Sequence, residues 1–347
     1  MNRSKIAPVP GKGKDLVLED YDHYVALDWS ERTMAIAHMG KRVQAPTVFE
    51  RPSNIKDLKA YLATLRGPIV MVIEETTTAH WLYLELRGSV ERLVICNPYR
   101  NRLLSEGAKT DKIDAGKLCM LLRSGLLKEV YHSTDKLFEL RTLVSSYQDV
   151  VQAGVRAKCQ RSALNRARAE GGAYGAFVTG HLDKVIALYE ETKKEYEKKF
   201  QEQCRKNKQL KLLTPITGIG VIGAVKILAT VVDARRFPRR GQYWAYCGLA
   251  RNEKLSGGRS YGHRKPKYSH VLKSVYKSAA LAAIQSKGPI REYYDRLLAD
   301  GEAEHNARHA VARYIATVTY GILKSGTPYD PYRWRKSSVS QKENKVA

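Results

Sequence analysis

PIVMVIEE, Pro68 to Glu75, is a continuous apolar run that ends in two carboxylates. Such a run suits a strand covered on both faces, as in a sheet with helices packed against it. Working outward, His23 to Leu27 in YVALDWS reads as a strand with Asp28 at its end. Thr33 to Met39 reads as a second strand and Thr47 to Phe49 as part of a third. Helical stretches follow near Asn54 to Leu65 and from Ala79 to Arg87, and Arg92 to Cys96 is a further strand. Strands first, then strands alternating with helices, predict an α/β domain with a mixed sheet.

Beyond Asn97-Pro98 comes KTDKIDAGKLCMLLRSG, Lys109 to Gly125. Asp111 and Asp114 open an apolar-periodic run, and residues three apart share a helix face, so both carboxylates can address one spot. Taken alone, Thr110 or Asp111 would serve as a helix cap and Asp114 as a partner for the positive helix end. Carboxylates at two strand ends shift that balance. Asp28, Glu74, Asp111 and Asp114 together form the constellation of a two-metal nuclease, able to hold two Mg²⁺ ions. All-oxygen ligands suit Mg²⁺ better than zinc, and Mn²⁺ can substitute. Residue types leave open whether Glu74 or Glu75 is the ligand. Lys109 and Lys112 make the same spot attractive to phosphate.

The pattern changes at Leu137, where Leu137, Leu140, Val144, Tyr147 and Val151 recur at spacings of three and four. A glycine-rich break from Gly171 to Gly180 precedes a second charged helix carrying Leu182, Val185, Tyr189 and Tyr196. A long helical hairpin is predicted, either coiled-coil-like within or between chains or an ordinary surface hairpin. From Leu212, LLTPITGIGVIGAVKILATV predicts a helix-hairpin-helix, with Gly218 and Gly220 letting backbone N–H groups approach a phosphate. Next comes a glycine-rich loop, RNEKLSGGRSYGHRKPKYSH. It carries Arg251, Lys254, Arg259, Arg264, Lys265 and Lys267 against Glu253. Helices resume from Val271 to Gln285, Pro289 to Leu298 and His309 to Leu323.

A chain of 347 residues has room for two or three domains. Its formal charge of +25 is hard to reconcile with small neutral substrates and points to a polyanion, most simply nucleic acid. No apolar run of about 18 residues occurs, so no membrane partner is expected; nor does a signal-peptide pattern open the chain. Five cysteines lie far apart without a Cys-x-x-Cys pair, which fits a reducing cytosol better than a disulfide framework or a zinc site.

The motifs resemble those of the DEDD-type transposases of the insertion sequence 110 family, which includes the Piv-type DNA invertases. YVALDWS resembles the family's first-Asp motif, VIEETTTAHW its Glu motif and NPYRNRLLSEGAKTDKIDAGKL its double-Asp motif. In the second half TPITGIG, FPRRGQYWAYCGLAR, LSGGRSYGHRKPKYSHVLK and YGILKSGTPYDPYRW follow in the family's order. Thr217 stands where the family usually has proline, and Glu75 with Thr76 to Thr78 where a small residue and a glycine are usual. The resemblance implies a RuvC-like, RNase H-type domain at 21–131 whose acidic quartet is Asp28, Glu74, Asp111 and Asp114. It also implies a nucleophilic serine, Ser256 with Ser260 as fallback, in a mostly helical transposase domain at 212–334. The helical hairpin would occupy 132–211, between a flexible lead-in (1–20) and a disordered basic tail (335–347). The expected activity is DNA cutting and rejoining through a phosphoserine link. DNA, a structured bridge RNA and further copies of the chain, as homo-dimer or homo-tetramer, are the expected partners. The expected setting is prokaryotic cytoplasm, at the nucleoid. A Piv-like invertase would use the same residues, and a RuvC-like junction nuclease would leave Ser256 unexplained. His305 to Arg308 spells the His-x-x-Arg of tyrosine recombinases, a chemistry that does not need the four acids.

Overall fold

The computed structural model describes residues 21–97, 110–127, 129–132, 137–167, 172–250, 252–264 and 267–332. The expected lead-in and basic tail lie outside them. The chain divides into two compact units, 1–134 and 135–347.

The first unit is built on a five-stranded sheet of order β3-β2-β1-β4-β5. Its strands are β1 (His23–Trp29), β2 (Thr33–Gly40), β3 (Thr47–Pro52), β4 (Ile69–Glu74) and β5 (Arg92–Cys96). β1, β2 and β3 pair antiparallel, while β1, β4 and β5 run parallel. The parallel pairs need crossovers, which α1 (Ile55–Thr64) and α2 (Ala79–Leu86) supply. Successive strand residues alternate between faces, and the core divides accordingly. Val25, Leu27, Met71 and Ile73 pack with Leu58, Leu62, Leu82 and Leu86 of α1 and α2. Tyr24, Ala26, Val70, Val72, Val94 and Cys96 pack with Ala115, Leu118, Cys119 and Leu122 of α3 (Asp111–Arg123). Both faces of β4 are therefore covered, which explains its unbroken apolar run.

The second unit is mostly helical. α4 (Leu137–Arg166) and α5 (Gly172–Lys206) form an antiparallel hairpin. It is pinned by Ser146 to Tyr196 at 2.6 Å, Tyr147 donating to Glu197 at 3.0 Å, and Arg161 paired with Asp183 at 3.0 Å. The glycine-rich stretch does not break the helix as the sequence predicts: α5 runs straight through Gly175 and Gly180. An interior glycine costs only about 1 kcal/mol relative to alanine. The long pairing with α4 outweighs that, and the buried Thr179 hydroxyl donates to Gly175 O at 2.9 Å. At its base the hairpin joins the core of the unit, where Leu140, Val144, Tyr147, Phe200 and Cys204 cluster with residues from Leu210 onward.

α6 (Lys208–Leu213) and α7 (Val221–Val231) flank the TPITGIG turn, followed by a 3-10 turn (Ala234–Arg236) and α8 (Arg240–Tyr246). Gly218 takes φ +88°, and a Cβ there would lie 2.2 Å from the backbone carbonyl oxygen of Ala279 in α9 (His270–Gln285), so no side chain fits. α10 (Pro289–Ala299) and α11 (Glu304–Ser325) complete the unit. RNEKLSGGRSYGHRK, read from sequence as a loop, is instead a β-hairpin of β6 (Asn252–Ser256) and β7 (Arg259–Arg264). Among the described residues no helix is long and apolar enough to cross a membrane.

Candidate active site

The direction of α3 brings the four carboxylates together. Near its C-terminal end Cys119 Sγ donates to Tyr24 O at 3.3 Å, and Arg123 donates to Gly40 O at 3.2 Å and Lys41 O at 2.8 Å. The helix thus runs antiparallel to β1. From Cys119 back to Asp114 and Asp111 the axis covers about 8 and 12 Å. From Tyr24 to Asp28 the strand advances about 13 Å. The first turn of α3 therefore lies at the end of β1 that carries Asp28.

Alternation sets the direction of the two strand acids. Asp28 continues the face of Tyr24 and Ala26, and Glu74 that of Val70 and Val72, both towards α3. Leu27 pairs with Ile73 in register, which makes Asp28 and Glu74 lateral neighbours. Glu75 lies beyond the strand. Its N–H donates to Cys96 O at 2.9 Å, and its exposed carboxylate accepts from Asn97 Nδ2 at 3.4 Å.

Thr110, not Asp111, caps α3, accepting from Ile113 N at 3.3 Å. Both aspartates are thereby left for other work at the positive helix end. Asp114 Oδ1 is buried with no hydrogen-bond partner among the described residues. Burial, then the charges of Asp111 and Asp114, push Asp28 up to about 6. Glu74 is also raised, by burial first and then by Asp28 and Asp114. The quartet is thus one electrostatically coupled cluster, although among the described residues no three such groups are drawn into a ready-made coordination shell. Four carboxylates with an orphaned buried oxygen fit a hard divalent cation, which would relieve both the repulsion and the unmet polar atom.

Ser256 belongs to the second unit. It ends β6 opposite Arg259, and Gly257 and Gly258, at φ +57° and +78°, form the two-residue turn between them. Two consecutive positive φ values mark a type I′ hairpin turn. Ser256 and Arg259 are both exposed on this hairpin. The signal that the sequence reading missed was the Gly-Gly pair between polar strands, a hairpin turn signature in its own right.

The expected phosphate contacts belong to both units. Lys112 is half exposed and pairs with Glu50 at 3.0 Å, a contact no local pattern announces. Gly220 caps α7 with its Cα facing open space, whereas Gly218 is accounted for by its approach to Ala279. Lys267 is exposed. Lys109, Arg251 and Lys265 lie outside the described residues, and of Lys254 and Arg264 only the backbone is described. Arg308 pairs with Glu304 on its own helix.

Comparison with known proteins identifies relatives of both units. A family model described as Transposase, of the DEDD type named for IS110, matches residues 25–167 and takes in all four acids. A second, described as Transposase IS116/IS110/IS902 family, matches residues 210–295 and takes in the serine hairpin. The relatives include the "Insertion element IS110 uncharacterized 43.6 kDa protein" of Streptomyces coelicolor, 33% identical over 120 residues. That match takes in 34% of this chain and 30% of the relative. Another is the "Insertion element IS116 uncharacterized 44.8 kDa protein" of Streptomyces clavuligerus, 24% identical over 149 residues, 43% of this chain and 37% of the relative. The chain spans about a third of the length of these curated relatives. It belongs to the IS110 family of DEDD transposases. A domain of the DEDD type implies use of a divalent metal.

Proposed function

We propose that this chain is a DNA transposase of an insertion sequence, cutting and rejoining DNA with the acidic quartet of the first unit and Ser256 of the second. The observation that carries this reading is the coupling of Asp28, Glu74, Asp111 and Asp114 at one end of a mixed sheet. The order β3-β2-β1-β4-β5, with three antiparallel strands followed by two parallel ones, supports a RuvC-like, RNase H-type assignment. The inward direction of Glu74 favours it over Glu75 as the fourth acid.

Asp28, Glu74, Asp111 and Asp114 would hold Mg²⁺, or Mn²⁺ in its place, which when bound lowers the pKa of an attacking hydroxyl and neutralises charge on the departing oxygen. Ser256 Oγ forms a bond to phosphorus as the P–O bond to one strand end breaks. The serine proton is lost, and the departing end leaves as a hydroxyl. The phosphoserine link conserves the ester for attack by another strand end. Arg259, opposite Ser256, is placed to hold the phosphate, and the glycine turn leaves the backbone open to close approach.

The excess positive charge supports binding to DNA and to a structured bridge RNA. A homo-dimer or homo-tetramer is supported by an apolar stripe on α5. Tyr174, Phe177, Val178, Val185 and Leu188 fall on one helix face and are exposed, Tyr174 at 89% and Leu188 at 60%.

The test is a joining assay with Mg²⁺, DNA carrying the element's ends and RNA transcribed from it, read by sequencing the new junctions. Wild type and Glu75→Gln are expected to form junctions and Asp28→Asn to form none. Junctions at the wild-type rate in Asp28→Asn would refute the reading.

A further inference from the structure

The second unit holds a cluster of arginines and aromatic rings that the proposed chemistry does not use. An open cleft of about 660 Å³ lies among α8, α10, α11 and the segment 327–330. Arg240, Arg296, Arg313 and Trp244 line it together with Tyr293, Tyr314 and Tyr329, and Asp300 and Asp330 also belong to its lining. Arg296 is paired with Asp300 at 3.7 Å. Arg240 and Arg313 are not so neutralised. Their guanidinium carbons stand 5.5 and 6.0 Å from the centroid of the same indole, Trp244, and among the described residues no carboxylate pairs with either. Two guanidinium groups beside one ring, neither paired with a carboxylate among the described residues, favour an anionic ligand.

The aromatic part is built as well. Trp244 is fixed by Nε1 donating to Thr317 Oγ1 at 3.0 Å. The Tyr293 and Tyr314 rings meet at 5.2 Å with 41° between their planes. The Tyr329 hydroxyl is buried without a hydrogen-bond partner among the described residues, a polar atom that the edge of a base can satisfy. An adjoining hollow of about 700 Å³ shares Arg240 and Tyr320 and adds Arg239 and Lys324, with no acidic lining residue.

We propose that this cleft binds an unpaired nucleotide of single-stranded nucleic acid. Its phosphate lies on Arg240 and Arg313, its base against the tyrosines, and the next phosphate on Arg239 and Lys324. Charge alone would equally suit an acidic peptide, but ring faces beside guanidinium groups match an unstacked base. A base within a duplex does not offer its face to such a cleft. The strand is DNA or RNA, since the shared chemistry is a base with a phosphate. The proposal rests on the reading above only in taking nucleic acid as the partner, and its test requires no cleavage.

The experiment measures fluorescence anisotropy of the full chain with labelled oligothymidylate and oligouridylate of about 12 nucleotides, and with a duplex of the same length. Combining Arg240→Ala with Arg313→Ala is expected to weaken single-strand binding about tenfold or more and leave duplex binding nearly unchanged. Combining Lys208→Ala with Lys287→Ala removes the same charge from elsewhere in the unit and is expected to change neither. The tighter of the two single strands identifies the source. Equal losses in the cleft and control variants, equal losses for single strand and duplex, or displacement by polyglutamate as effective as by oligonucleotide would overturn the proposal. Wild-type protein supplies an independent reading. Photocrosslinks from an iodouracil-substituted oligonucleotide are expected in peptides containing Trp244, Tyr293, Tyr314 or Tyr329, and crosslinks confined to other peptides would also overturn it.

Discussion

Asp28 and Glu74 are lateral neighbours on two parallel strands, each one residue past the paired Leu27 and Ile73. Both turn towards the face that α3 covers, and both are held above the ordinary carboxylate range. Two acids whose charged forms the fold disfavours are a liability for stability and an asset for holding a cation.

That liability has a defined pH dependence. Asp28 rises from 3.8 to about 6, so the folded state favours its neutral form. Its contribution to stability is complete below about pH 4 and is lost as pH rises through about 6. A shift of this size corresponds to about 3 kcal/mol, and screening at a partly open site reduces it to about 1 kcal/mol. Without divalent ions, Asp28→Asn is expected to raise the melting midpoint at pH 7 by roughly 2–4 °C and to leave it unchanged at pH 4. Mg²⁺ should stabilise wild type at pH 7 and have little effect on the variant. Calorimetry with and without chelator checks both.

The turn before α7 is constrained independently of any ligand. Gly218→Ala would force a side chain into a left-handed backbone against the Ala279 carbonyl. A loss of about 2 kcal/mol or more in urea unfolding is expected, whereas Gly220→Ala, with open space at its Cα, should cost far less.

The serine hairpin depends on its turn type. Gly257→Asn retains a residue that tolerates positive φ and should leave strand joining nearly intact. Gly257→Val does not, and is expected to lower joining about tenfold or more by splaying Ser256 from Arg259. Junction counts for the two variants distinguish a requirement for hairpin geometry from one for glycine itself.

The stripe on α5 predicts an assembly. Combining Phe177→Glu with Leu188→Glu places charge on the exposed apolar face without touching the α4 contacts of Arg161 and Tyr196. Light scattering should show a smaller species than wild type while the circular dichroism spectrum keeps its helical content.

What could be read in the sequence follows from the range of the forces involved. The apolar run of β4 and the spacing of Asp111 and Asp114 are local patterns, and each element stands within a few residues of its expected place. The continuity of α5 was not legible, because glycines discourage a helix locally and only the partner α4 outweighs them. The β6–β7 hairpin was obscured by its polarity, since an exposed ribbon lacks the apolar alternation that marks a half-buried strand. The cap was also undecided in sequence: Thr110 and Asp111 are both competent, and geometry alone assigns the role to Thr110 and leaves Asp111 free. The cleft around Trp244 joins residues from α8, α10 and α11 that no linear motif connects.

The most direct test of the central claim is to trap the covalent intermediate. Protein incubated with Mg²⁺, labelled DNA of the element's ends and the transcribed RNA is denatured and resolved by gel electrophoresis. A labelled adduct is expected with wild type and absent with Ser256→Ala and Asp111→Asn, and mass spectrometry should place the phosphate on Ser256. Cleavage without any adduct, or an adduct undiminished in Ser256→Ala, would contradict the account.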